Sequence, residues 1–203
     1  MKSLCLLGCI LLVTALAGAC ASKDGSIDVT NQTPESADGT VSAPWEPDGV
    51  VSAGEYAHQT SVGDVKVWWS NDAEFLYLAM EAQSLGWVAV GLDPEKAMQG
   101  ANFLFGAVEN GEPKVWDAYG TASGGPTHPL DEELGGTNDI VRFGGVEEDG
   151  VTRFEVQIPL NSGDEFDKVL EPGKTYPIIA AVGRSDSFAM RHASRAAGEI
   201  TLD

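Results

Sequence analysis

The chain has 203 residues, enough for one sizeable core and little more. It is 43% hydrophobic and 21% charged, with 24 Gly and 10 Pro, the composition of a soluble, turn-rich domain that leans towards β structure. A net charge of −19 argues against a nucleic-acid partner, which needs clustered Lys and Arg, and against adsorption to anionic lipid by charge.

Residues 1–19 read as a leader: Lys2 supplies the positive start, and "LCLLGCILLVTALAGA" is an apolar run too short and too early for a spanning helix. It ends at "LAGAC", which resembles the lipobox of bacterial lipoproteins. Cys20 is then the residue before which the leader is cut and which is acylated. Ala17 stands where Leu is usual, with Leu16 one place earlier, and simple secretion is the alternative. Cys5, Cys9 and Cys20 are the only cysteines. A chain cut before Cys20 therefore has no internal disulfide, no Cys-ligated zinc or iron–sulfur site, and no C-x-x-C-H for covalent haem. Residues 20–44 are polar and poor in large apolar groups, too poor to offset the entropy of ordering. They form a tether that, fully extended over about 25 residues, reaches roughly 80 Å.

From Trp45 the pattern changes. "DGVVSAGEY" opens the folded part, "VKVWWS" alternates, "ND" turns, and "FLYLAMEA" alternates with Leu76, Leu78 and Met80 on one face and Phe75 and Tyr77 on the other. "LGWVAVGL" is continuous enough to be a buried strand. After the loop "DPEKAMQG" come "ANFLFGAV" and "KVWDAYG", joined by an Asn-Gly turn. A polar loop over 120–138 precedes two strands around "EEDG". "DEFDKVLEPGKTY" is expected to hold a short helical turn, "YPIIAAVG" a strand, "RSDSFAMRHASRAAG" a loop or edge, and "EITLD" the last strand. About 9–11 short strands without an amphipathic helix predict an all-β fold, an antiparallel sandwich or barrel, over 45–203.

Hydrolytic signatures are missing: the three histidines, His58, His128 and His192, stand in no Ser-His-Asp or H-E-x-x-H pattern, and "TASGG" lacks the Lys and helix of a phosphate cradle. Acidic pairs such as "DEEL" and "VEED" read as solvated loops. His128 in "PTHPL" and His58 read as surface residues, and Met80 as core. Met98 fits neither a strand nor a helical stripe, and spacing alone makes it a loop residue folded onto the sandwich.

Three stretches change that reading: "GWVAVGLDPEKAMQGANFLFG", "VWDAYGTASGGPTHPLD" and "RHASRAAGEITLD". In order and spacing they resemble the DOMON family, and within it the cytochrome branch typified by the haem domain of cellobiose dehydrogenase. The resemblance covers about residues 45–203 and implies an immunoglobulin-like antiparallel β-sandwich. It also implies non-covalent haem b held between a Met and a His, which fall on Met98 and His192. Such a haem needs an apolar and aromatic pocket, for which Trp87, Phe103, Phe105 and Phe188 are candidates. Arg191 and Arg195 would pair with the propionates or with local acids, and Tyr119 and Asp117 would serve the fold or the pocket rim. Met190 is too close to His192 to bind the other face of one haem. Met/His ligation leaves no open site, which favours electron transfer over oxygen chemistry. The expectation is an electron carrier or binding domain, not an enzyme, exported to a bacterial cell envelope (periplasm or surface), anchored through its lipid and working with a redox partner protein. The alternatives are a carbohydrate-binding module using some of Trp45, Trp68, Trp69, Trp87 and Trp116, or a scaffold domain without a ligand.

Overall fold

A computed structural model describes residues 45–125 and 127–203. The leader, Cys20 and the tether lie outside the described residues.

Ten strands run in the order β1 (His58–Val62), β2 (Val65–Asn71), β3 (Phe75–Gln83), β4 (Val88–Leu92), β5 (Asn102–Glu109), β6 (Glu112–Tyr119), β7 (Arg142–Glu148), β8 (Val151–Pro159), β9 (Thr175–Val182) and β10 (Ser194–Thr201). They form two five-stranded antiparallel sheets, β1-β2-β3-β8-β7 and β10-β9-β4-β5-β6, packed as a β-sandwich. Two hairpins turn where both central residues accept positive φ: Asn110-Gly111 (54° and 82°) between β5 and β6, and Asp149-Gly150 (53° and 78°) between β7 and β8. The one helix among the described residues, α1 (Asp131–Leu134), is a single turn inside the long polar loop. The stretch "DEFDKVLEPGKTY" holds a turn at Glu165–Phe166 and another at Pro172–Gly173 and no helix. The final strand starts earlier than expected, at Ser194, because β9 offers it eight paired positions from Val182 back to Thr175.

Alternation sorts the side chains. Leu76, Leu78, Met80, Phe154 and Val156 of the first sheet meet Val88, Val90, Leu104, Ile178 and Ile200 of the second in one buried core. The outer face of the first sheet is polar: Arg153 pairs with Glu81, and Lys66 reaches Glu81 at 3.0 Å. Residues 45–56 cover part of this face. There the fully buried Glu155 carboxylate accepts the Gly49 N–H (2.7 Å) and the Tyr56 hydroxyl (2.8 Å), and the Tyr56 oxygen accepts the Trp45 indole N–H (2.9 Å). Burial lifts the Glu155 carboxyl above its ordinary range, and both donors pull it back. Glu155→Ala strands these two donors, so urea unfolding is expected to show a loss of about 2–6 kcal/mol, at about 1–3 kcal/mol per buried orphan. A loss under about 0.5 kcal/mol would mean that the segment holds without them.

The second sheet breaks the rule that a two-layer sandwich is polar outside. All five residues of β4 are buried, and its outward Ala89 and Gly91 pair with Phe105, Phe103, Ala181 and Ile179 on the neighbouring strands. All of these but Gly91 belong to a second apolar cluster, separate from the core, with Trp87, Ala101, Ala107, Ala118, Met98, Trp116, Leu130 and Phe188. A sheet that is apolar on both faces needs a third layer, and here loops supply it.

Candidate functional site

A cleft with about 750 Å³ of empty space, its mouth included, opens on this outer face. Its floor is the strand surface of Ala89, Phe103, Phe105, Ile179 and Ala181. Its wall is Trp87, and Met98, His128, His192 and Arg195 stand around it. A second, more polar cavity shares Trp87, Met98, His128, His192 and Arg195 and adds Gly124, Gly125, Met190 and Arg191. The two form one cleft, apolar at depth and cationic at the mouth.

Local sequence explains how each group arrives. Met98 sits at the tip of a tight turn closed by Gln99 N–H to the Lys96 carbonyl (3.0 Å), with Ala97 at a positive φ of 52°. A non-glycine residue there costs on the order of 1–2 kcal/mol, a strain that clusters at functional sites. The turn is tied to the end of β6, since Gly100 N–H donates to the Gly120 carbonyl (2.7 Å) and Gly120 N–H to the Ala101 carbonyl (2.9 Å). A Cβ on Gly120 would overlap the Met98 carbonyl oxygen, so only glycine lets the turn lie this close. His192 precedes β10, where Ala193 N–H donates to the Val182 carbonyl (2.6 Å). Trp87 lies over Gly183, where any Cβ would meet the indole at 2.5 Å.

Of the residues predicted for the site, Met98, His192, Trp87, Phe103, Phe105 and Arg195 line the apolar cleft, and Arg191 lines its polar mouth. Phe188 stands behind it: its ring packs edge-on to Phe105 (4.9 Å) and stacks on Trp116 (5.6 Å), buttressing the floor. His128, expected on the surface, is half-buried with its ring against Phe105 (5.1 Å), Phe188 (5.3 Å) and Phe103 (5.9 Å). Its flanking residues are tied down, Pro129 to Tyr119 at the end of β6 and Thr127 to Thr121 two residues beyond it. Met80 is fully buried in the core, and Met190 is exposed at the mouth. Asp117 and Tyr119 lie on the opposite face of the sheet, in register with Leu104 and Asn102, and are not part of the cleft rim.

The electrostatics suit an anionic, partly apolar guest. Burial, then the Arg195 and Arg191 charges, hold the His192 imidazole below its ordinary pKa, so at neutral pH it offers a lone pair. Burial does the same for His128. Neither Arg191 nor Arg195 makes an ion pair among the described residues, although the chain carries 31 acidic groups. The Trp87 indole N–H is buried without an acceptor, the sort of donor that a guest would satisfy.

The DOMON domain family profile matches residues 61–183. No curated protein matches the chain. Among solved structures, the chain is similar to the cytochrome b domain of pyranose dehydrogenase from Coprinopsis cinerea, at 11% identity and a TM-score of 0.49 over 68% of this chain and 76% of that one. It is also similar to a family 9 carbohydrate-binding module from Caldicellulosiruptor kristjanssonii in complex with glucose, at 17% identity and a TM-score of 0.38 over 79% of this chain and 92% of that one. With the profile spanning most of the sandwich, the chain belongs to the DOMON domain family.

Proposed function

We propose that this domain binds haem b without a covalent link, with Met98 and His192 as the residues that would hold its iron, and carries electrons outside the cytoplasm. The observation that carries the reading is the shared cleft: a thioether and a neutral imidazole, far apart in sequence, stand over an aromatic floor with two arginines free of ion pairs at its mouth. Trp87, Phe103 and Phe105 would exclude water from the macrocycle, and Arg191 and Arg195 would meet the propionates. The group would supply a one-electron couple, and Met/His ligation raises its potential relative to two histidines. Met98 and His192 would both be taken up in holding the iron, which favours electron transfer with a redox partner protein over substrate chemistry. The reading predicts a red full-length protein whose dithionite-reduced spectrum has low-spin b-type bands. A colourless protein that takes up no haemin would end it.

The carbohydrate alternative rests on Trp68 and Trp116, the two tryptophans left partly exposed; Trp45, Trp69 and Trp87 are buried. Glycan binding that survives Met98→Ala and His192→Ala would favour it.

We further propose that Cys20 carries the lipid that holds the domain to the bacterial cell envelope through residues 20–44. Cys20→Ser should move the protein from the membrane to the soluble fraction, and mass spectrometry of the wild-type amino-terminal peptide should show the acyl groups. A wild-type chain that is unmodified at Cys20 would refute the anchor.

A further inference from the structure

The same sheet carries a second constellation on its inner face, at the end where β5 begins and β6 ends. Asp117 of β6, Asp139 before β7 and Asp167 before β9 offer carboxylate oxygens that all lie within 4.8 Å of one another. Two oxygens bound at 2.4 Å to one ion are at most 4.8 Å apart, so the spacing suits a cation with Ca²⁺-length bonds of about 2.3–2.6 Å.

Acidic neighbours alone would be unremarkable; the buried groups around them are not. Asp117 is 3% exposed and its Oδ1 has no hydrogen-bond partner, while its Oδ2 accepts the Asp139 N–H (2.9 Å). Asn102, also 3% exposed, donates its amide to Asp167 and leaves its carbonyl oxygen unpartnered. Asp131, at the start of α1, is 0% exposed with neither carboxylate oxygen partnered, and Asp117 is the charge that bears on it most, followed by Asp167, Asp164 and Asp139. The nearest base in sequence, Lys168, leans instead towards Asp93 (3.9 Å) and Glu95 (4.0 Å). A buried carboxylate with neither donor nor counter-ion is among the costliest arrangements in a fold. Burial, followed by this mutual repulsion, pushes Asp131 up to about 8, and burial pushes Asp117 up to about 7.

We propose that Asp117, Asp139 and Asp167, with the buried carbonyl oxygen of Asn102, form a calcium site that fastens the 131–140 and 161–170 loops to the end of the second sheet, its charge also offsetting that of the buried Asp131 nearby. All donors are oxygens, which selects a hard cation over zinc or copper. Several carboxylates without room for a full shell of waters favour Ca²⁺ over Mg²⁺. The site lies on the far side of the sheet from the cleft, and Asn102 opens β5 directly after the turn that carries Met98. Calcium would thus brace the base of that turn, whether or not the cleft holds haem.

The test uses the full-length protein stripped with EGTA. Isothermal titration should find one Ca²⁺ per chain, and 10 mM CaCl₂ should raise Tm by roughly 5–10 °C over EGTA, the shift for about a hundredfold excess over the dissociation constant in a chain of this size. Asp139→Asn, at a half-exposed position that tolerates an amide, should weaken Ca²⁺ at least tenfold. Glu132→Gln, exposed on α1, should leave it unchanged. No binding heat together with equal Tm in calcium and EGTA would overturn the proposal and leave a proton-sharing carboxyl cluster in its place. Calcium binding that is unaltered in both Asp139→Asn and Asp167→Asn would overturn it too. Neither readout involves the haem spectrum, so its failure is distinguishable from failure of the cleft assignment.

Discussion

Alanine at Met98 or at His192 should remove one of the two groups proposed to hold a haem iron, and the reduced protein should then lose its low-spin b-type bands in both variants. The two losses should differ in kind. Met98→Ala leaves the imidazole, the stronger ligand, so the protein keeps its colour, shifts to a high-spin spectrum and falls in potential because the thioether no longer favours the reduced state. His192→Ala leaves only the thioether and the apolar walls, and haemin affinity should fall by at least tenfold, the scale on which weaker perturbations of a metal shell are already felt. His128→Ala decides between the two histidines. Its ring packs on Phe103, Phe105 and Phe188, so its removal should loosen the floor and leave the low-spin bands in place. If His128→Ala abolishes those bands and His192→Ala spares them, the ligand is His128 and the assignment to His192 fails. Circular dichroism of each haem-free variant separates a lost ligand from a lost fold.

Met98 and His192 were singled out in the sequence and line the cleft, whereas His128, which lines it too, read as a surface residue; the difference is a matter of geometry. Strands announce themselves by period: Leu76, Leu78 and Met80 alternate with Phe75 and Tyr77, and the structure buries the first three completely. "WVAVGL" does not alternate, and that was the sign of a sheet covered on both faces; the cleft follows from it. Loops carry no period. Met98 could be singled out only because the resemblance supplied a reason for a thioether there; the strained Ala97 that lifts it is visible only in the backbone. His128 was concealed by its polar, proline-flanked neighbours, and it turns inward because its loop is stitched to β6 and Gly120–Thr121 by Tyr119 N–H to the Pro129 carbonyl (3.1 Å) and Thr121 N–H to the Thr127 carbonyl (2.8 Å). "DEEL" likewise read as solvated. Glu132 and Glu133 are exposed as that reading requires, whereas Asp131 is fully buried because Leu130 bridges to Ala118 and draws the start of α1 against β6. Groups scattered over residues 102, 117, 139 and 167 share no spacing rule, so no motif could have assembled them.

Phe154→Ala should be the most damaging single change in the core, costing about 3–5 kcal/mol and lowering Tm by roughly 6–20 °C. Phe154 of β8 is 0% exposed, and its ring fills a socket formed by two glycines: Gly145, its partner on β7, and Gly106, on β5 of the facing sheet. A Cβ on Gly145 would approach the ring at 2.6 Å, and one on Gly106 would overlap it outright. The ring therefore has no smaller neighbour to relax into its place, and truncation leaves most of its volume empty. Gly106→Ala should also destabilise, by about 1–3 kcal/mol, since it forces a methyl into an occupied space. The double variant makes the argument falsifiable. With the ring gone the new methyl sits in the void, so Phe154→Ala/Gly106→Ala should be more stable than the sum of the two changes predicts, by about 0.5–3 kcal/mol. Strict additivity in a urea-denaturation cycle would mean that the two positions do not share the socket. The coupling also reaches the cleft. Phe105 immediately precedes Gly106 on β5, with its ring on the opposite face, where it forms part of the floor. A displacement of β5 away from Phe154 in Gly106→Ala pushes that floor into the cleft, and haemin affinity should fall in the single variant and recover in the double.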